Sequence, residues 1–273
     1  MGPAPGPDHP ANPDQALKKG LIPPAALTLL LAAGFGLSPG GFLDKLHFLA
    51  AGVCPQRPGH SLFLGAQPPL EARMVGIYGG ALLTLGWLWV RRGLRPAGLP
   101  PLGLIGLSLL FFGAMGLDGL NAFLADLGLP HLYPPANALR LGTGILAGVS
   151  IGVVFAPVVG GALWRKPALG PAVDWADLVP VGLLQAGLFG AALSGAASML
   201  YPVSAVGVGG VWVLMGLFNL VVGLHLFGKS RRFDGWVEVL PGLSLALGLA
   251  LAELVGLAAL RFYLEGLLGL TFR

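Results

Sequence analysis

The strongest constraint on this chain is a series of long apolar runs that carry almost no charge, at residues 21–37, 74–90, 101–117, 138–163, 178–200, 205–227 and 237–260. Each is near the ~20 residues that a helix needs to cross ~30 Å of hydrocarbon. In water such runs would have to lie behind a polar shell. The chain cannot supply one, because 55% of its 273 residues are hydrophobic and only 10% are charged, where a soluble domain carries roughly 25% charged residues. Lipid is therefore the expected solvent. In lipid only helices and closed barrels satisfy their own backbone hydrogen bonds, and no run alternates polar with apolar residues as a barrel strand does. The expected fold is all-α, a polytopic transmembrane helical bundle of about seven spans.

Orientation is read from Lys and Arg, which gather on the cytoplasmic side of short loops. Lys18 and Lys19 precede the first run, Arg91, Arg92 and Arg95 follow the second, Arg165 and Lys166 the fourth, and Lys229, Arg231 and Arg232 the sixth. All fall on one side. The other side receives Lys45, Arg57, Arg73, Arg140, Arg261 and Arg273 over longer segments, while 118–135 and 201–204 hold neither Lys nor Arg. Seven spans then place the N-terminus in the cytoplasm and the C-terminus outside. Residues 1–20, rich in proline, read as a disordered cytoplasmic tail. Residues 21–273 read as a single transmembrane helical domain with an outer loop at 38–73. The first run has a basic flank like a signal peptide, but Leu-Ser-Pro-Gly-Gly follows it instead of a small-x-small cleavage site, so an uncleaved span is expected. These basic clusters account for the pI of 9.5, so membrane lipids are the expected partners and nucleic acid is not.

Small residues recur every four positions at Gly144, Gly148 and Gly152 in the fourth run, and at Ala186, Gly190, Ser194 and Ser198 in the fifth. Such ridges let helix backbones approach where no hydrophobic effect drives helices together, so tight helix contacts are expected rather than a pore lining. Polar residues gather in three places. The first holds Cys54, Gln56, Arg57, His60, Ser61, Glu71, Arg73 and Tyr78; the second holds Asp118 and Asn121; the third holds Asn137, Arg140 and Thr143. By the topology above, all three lie at the outer face and can converge. Arg73 and Arg140 stand near helix N-termini and Asp118 near a helix C-terminus, each opposed by the local dipole. Mutual ion pairing or a bound ligand is therefore expected.

Segments 54–78 and 118–148 resemble the two signatures of a bacterial membrane-protein family known as domain of unknown function twenty eighty-five. Its first signature reads roughly Cys-His-Gln-x-Pro-x-Arg-Ser, then Pro-x-Cys-x-Arg-Cys-x-Gly-Ile-Tyr. Cys54, Gln56, Pro58, Ser61, Pro69, Arg73, Gly76, Ile77 and Tyr78 match it. The second resembles Asp-Gly-x-x-Gln, then Asn-x-Leu-Arg and Thr-Gly, matched by Asp118, Gly119, Asn137, Leu139, Arg140, Thr143 and Gly144. Pro55 stands where the pattern has His, His60 where it has Arg, and Glu71 and Met74 where it has the Cys-x-x-Cys pair. The dithiol or thiolate metal centre that the pattern implies is thus not expected here. The resemblance implies a bacterial cytoplasmic (inner or plasma) membrane location, and it places a site without naming a chemistry.

No cofactor or metal is expected. The chain has one cysteine, and Cys54, His60, Glu71 and His47 match no zinc spacing. Nothing in the sequence orients His60 toward Cys54 as a nucleophilic pair would require, so the residues do not mark an enzyme. At membrane depth the acidic residue is Glu253, with Asn219, His225 and Gln185 as polar residues elsewhere. It reads as a protonated carboxyl that bonds a neighbouring helix, or as part of a proton or cation path. Asp174 and Asp177 read as a helix cap and a first-turn acid. The expected function is binding of a ligand or lipid headgroup, or a structural role, at the outer cluster. The alternative is a transporter or membrane-embedded enzyme that uses the same cluster with Glu253 on its path.

Overall fold

A computed structural model of the chain describes residue 26, residues 28–30 and residues 33–269. Helix α1, Phe42–Ala51, precedes six helices long and apolar enough to cross a membrane. These are α2 (Ala72–Arg92), α3 (Leu102–Asp126), α4 (Asn137–Leu163), α5 (Trp175–Leu193), α6 (Ala197–Leu226) and α7 (Trp236–Leu268). The expected first span, 21–37, lies partly outside the described residues; residues 26, 28–30 and 33–37 of it are helical. The tail at 1–20 lies outside them altogether.

Several run ends move, each for a physical reason. Hydropathy stops the third run at 117, but α3 continues through Asp118 and Asn121 to Asp126. Partners on other segments satisfy both polar side chains inside the bundle, so neither needs to end the helix. The segment 201–204 belongs to α6, and the chain turns earlier, at 194–196, where Gly195 adopts φ +67°. The outer loop at 38–73 is not all loop, since it contains α1 and its last two residues begin α2. Arg261 lies inside α7 rather than beyond it. Its Nη1 donates to the carbonyls of Ala51 at 3.0 Å and Cys54 at 2.6 Å, and its Nη2 to that of Pro55 at 3.1 Å. A cation over the C-terminal carbonyls of a helix is favourable, so Arg261 pins α1 and the loop after it to α7.

Helix α2 is wedged between α4 and α6. Its residues Val75–Gly79 form a π turn, which is wider than an α turn and needs room on both sides. Glycines supply the room. A Cβ on Gly148 of α4 would fall on the carbonyl oxygen of Ile77 and 2.8 Å from the amide nitrogen of Ala81, and one on Gly210 of α6 would fall on the carbonyl of Tyr78. The ridge at Gly144, Gly148 and Gly152 is thus the face of α4 that carries α2. The other ridge is not packed: Ala186 faces outward, a Cβ on Gly190 would meet nothing within 4 Å, and Ser194 and Ser198 lie past the end of α5. Gly148→Ala is accordingly expected to force α2 and α4 apart and to lower the unfolding free energy by about 1–3 kcal/mol. Gly190→Ala should stay within about 0.5 kcal/mol of the parent. Thermal unfolding in detergent distinguishes the two.

The C-terminal ends of α2, α4 and α6 meet at one end of the bundle. There two short strands depart from the all-α expectation: β1 (Pro96–Gly98), after α2, pairs in parallel with β2 (Ala168–Pro171), after α4. Trp164 donates from Nε1 to the Leu94 carbonyl at 2.7 Å and carries the Arg95 guanidinium 4.8 Å above its ring. Asp174 and Asp177 form the expected cap, with Asp174 Oδ1 accepting from the Ala176 amide and Asp177 Oδ2 from the Asp174 amide, both at 2.9 Å. They also do more. Arg91 donates to Asp177, Arg92 donates to Asp174, and Trp87 Nε1 donates to Asp177 Oδ1 at 3.0 Å. Burial alone would raise the Asp174 carboxyl, but the Arg92 hydrogen bond and the charges of Arg92 and Arg91 hold it below the usual carboxylate range. This is the basic end of the molecule.

Candidate functional site

The polar clusters singled out in the sequence meet at the opposite end, around the loop that joins α1 to α2. Gln56 is the residue that shapes this loop. It adopts φ +62°, unfavourable for a side chain other than glycine, and its Nε2 donates to the carbonyls of His47 at 2.8 Å and Pro69 at 2.9 Å. Those two bonds hold the strained backbone in place. Gln67 Nε2 donates to the Gln56 carbonyl at 2.9 Å and to Ser61 Oγ at 3.1 Å, and Ser61 Oγ donates to the Arg57 carbonyl at 2.9 Å. Cys54 lies beneath, 2% exposed, with Sγ accepting from the Glu71 amide at 3.3 Å. Burial pushes its thiol up, so it stays protonated and is a poor nucleophile. Among the described residues no three of His, Cys, Asp and Glu are grouped as metal ligands.

Two charged units stand on this platform. The first is centred on Asp118, which is 2% exposed. Arg73 Nη2 donates to its Oδ2 at 2.6 Å, Tyr133 OH to its Oδ1 at 2.9 Å, and Thr143 Oγ1 lies 3.2 Å from its Oδ2. The partners come from α2, from the loop after α3 and from α4. Asn121 fixes that loop: its Nδ2 donates to the Tyr133 carbonyl at 2.9 Å, and its Oδ1 accepts from the amides of Leu132 at 2.8 Å and Tyr133 at 3.2 Å. Asp118 lies two turns before the end of α3 rather than in its last turn. The dipole acts only within that turn, so the charge is met by Arg73.

In the second unit, Arg57 holds Glu71 Oε1 through its backbone amide at 3.0 Å and its Nε at 3.2 Å, and holds Asp126 Oδ2 through Nη1 at 3.1 Å. Glu71 thus gives Arg57 a carboxylate where the resembled pattern has cysteine. His60 sits between the acids, with Nε2 3.2 Å from Asp126 Oδ1 and Nδ1 3.7 Å from Glu71 Oε2. Burial and the charges of Arg140 and Arg57 lower its pKa, so the ring is neutral at pH 7 and carries one N–H. Asp126 and Tyr133 escaped the sequence reading. Asp126 had a signal, since Arg57, Arg73 and Arg140 at one face leave Glu71 and Asp118 one acid short.

Arg140 belongs to neither unit. It is only 5% exposed, four residues into α4, and no carboxylate lies within ion-pair distance of it among the described residues. Its Nη1 donates to Asn137 Oδ1 at 2.9 Å, while Asn137 Nδ2 is tied to the Ser61 carbonyl at 2.8 Å. Its Nη2 has only His60 Nε2, at 3.4 Å, and its Nε has no partner. One ring nitrogen cannot donate to Asp126 and accept from Arg140 together. Arg140 is therefore a buried cation with unused donors.

Residues 54–154 match the family model described as Predicted membrane protein (DUF2085). The matched segment contains every member of both charged units, Arg140 and the π turn of α2. Neither a curated protein nor a solved structure matches the chain.

The remaining sequence candidates lie elsewhere. Tyr78 stands in the π turn and packs against the apolar cluster around Leu46, Leu70 and Val75, not in the polar network. Gln185 Nε2 bridges α5 to α2 through the Gly80 carbonyl at 2.9 Å and Thr84 Oγ1 at 3.2 Å. His225 Nδ1 lies 2.8 Å from the Val221 carbonyl of its own helix. Glu253 of α7 accepts from Asn219 Nδ2 of α6 at 2.9 Å and borders a cavity of about 440 Å³. No residue of the polar cluster lines that cavity.

Proposed function

We propose that the polar face carries a binding site for a phosphate-bearing anion, with a lipid headgroup as the favoured form, and that Arg140 is its anchor. The carrying observation is the isolation of Arg140. A buried charge left without a partner costs several kcal/mol, whereas Arg57 and Arg73 each hold carboxylates. A guanidinium presents its donors as a fork that fits phosphate oxygens. Leu117, Leu120 and Leu139 stand outward beside the site, which suits a molecule arriving from lipid. His60 and Asn137 would position the headgroup, and Gln56, Ser61 and Asn121 would serve by holding the loops. The face itself is extracytoplasmic in this reading, because Arg91, Arg92, Arg95, Arg165 and Arg231 stand at the other end of the bundle. The transporter alternative draws no support from Glu253, whose cavity has other walls.

The test is thermal unfolding of the purified protein in detergent, as parent and as Arg140→Gln. Dioleoyl phosphatidic acid at about 100 times its Kd should stabilise the parent by about 2.7 kcal/mol, and dioleoylglycerol should not. The Arg140→Gln variant should lose the effect. Inorganic phosphate acting alone would identify a free anion as the ligand. An equal gain in Arg140→Gln, or none in the parent with any of the three, would contradict the proposal.

A further inference from the structure

We propose that the cavity between α4, α6 and α7 is a second site, opening on the lipid side, that takes an apolar molecule bearing one protonated amine. Its walls are Ile151 and Phe155 of α4, Leu214, Met215, Phe218 and Asn219 of α6, and Glu253 of α7. The volume of about 440 Å³ lies in the range of small-molecule pockets, about 300–1,000 Å³, which are mostly apolar with a few placed polar groups. Phe218 is outward-facing, so the opening looks toward lipid.

The two polar groups select the ligand. Asn219 Nδ2 donates one hydrogen to Glu253 Oε2. Glu253 Oε1 and Asn219 Oδ1 make no hydrogen bond among the described residues, and neither is a sealed, buried atom. The cavity therefore offers two adjacent acceptors, and among the described residues no Lys or Arg lines it. A carboxylate at membrane depth is costly without a counter-charge. A protonated amine provides both the donor and the charge, and an alcohol provides only the donor. Phe155 and Phe218 add aromatic faces that attract a cation. No wall residue belongs to the charged units, so the inference is independent of the anion site.

The experiment uses dicyclohexylcarbodiimide, an apolar reagent for protonated carboxyls, on the parent protein in detergent. The Glu253 oxygen bonds the central carbon of the reagent, its proton passes to one reagent nitrogen, and the acyl group then migrates to nitrogen as a stable N-acylurea. Peptide mass spectrometry reads the adduct at 253, with Glu253→Gln as the blank. N,N-dimethyldodecylamine, a tertiary amine that cannot capture the activated acyl group as an amide, is expected to halve labelling at a concentration at least tenfold below that of dodecanol. Equal protection by amine and alcohol would reduce the cavity to an apolar groove and overturn the proposal. Absence of any adduct on the parent would overturn it as well, because Glu253 would then be closed to the lipid side.

Discussion

Asp177→Ala is expected to destabilise the protein by about 3 kcal/mol, the largest effect of any single change at its basic end. The Asp177 side chain is fully buried and accepts from Trp87, from Arg91 and from the Asp174 amide. Removing it takes the acceptor from a partly buried indole N–H and strips one carboxylate from two arginines. The lower end of the range for breaking a buried pair applies, because Arg91 and Arg92 keep 31% and 20% of their side chains in contact with solvent. Asp174→Ala should cost clearly less, since Asp174 is itself 31% exposed and its loss leaves Asp177 in place. Thermal unfolding in detergent, followed by tryptophan fluorescence, checks both variants. An Asp177→Ala protein as stable as the parent would show that the arginines are held by water rather than by the acid.

The membrane-spanning helices were legible in the sequence because hydropathy is a local property and lipid demands it of every span. Their ends were not, and α3 explains why. Asp118 and Asn121 look like a helix terminus until Arg73 and Tyr133, distant in sequence, are seen to satisfy them. Arg261 was misplaced for the same reason, since the carbonyls it caps belong to α1 and the following loop. The glycine ridges make a related point. Gly148 and Gly190 sit in identical four-residue patterns, yet only Gly148 meets another backbone, and nothing in a single helix decides which ridge finds a partner. At the polar face the sequence reading missed Asp126 and Tyr133, grouped Tyr78 with residues it does not join, and left the pairs undecided. Sign and helix position made Asp118 equally suitable for Arg73 and Arg140. What chose between them was the depth of Asp118 in α3, a turn beyond anything a charge pattern encodes.

Asp118→Asn is expected to cost about 3 kcal/mol, again at the low end for a buried pair because the Arg73 side chain remains 21% exposed. Its loss also leaves Tyr133 OH and Thr143 Oγ1 facing a neutral amide. The same substitution gives the most direct test of the account, which holds that Asp118 is committed to Arg73 while Arg140 stands apart and available. The measurement is a pair of double-mutant cycles of unfolding free energy in detergent, Asp118→Asn with Arg73→Gln and Asp118→Asn with Arg140→Gln. The first cycle should give a coupling of about 2 kcal/mol and the second less than about 0.5 kcal/mol. A coupling between Asp118 and Arg140 as large as that between Asp118 and Arg73 would make all three one closed ion-pair network, leave no cation available for a ligand, and contradict the account.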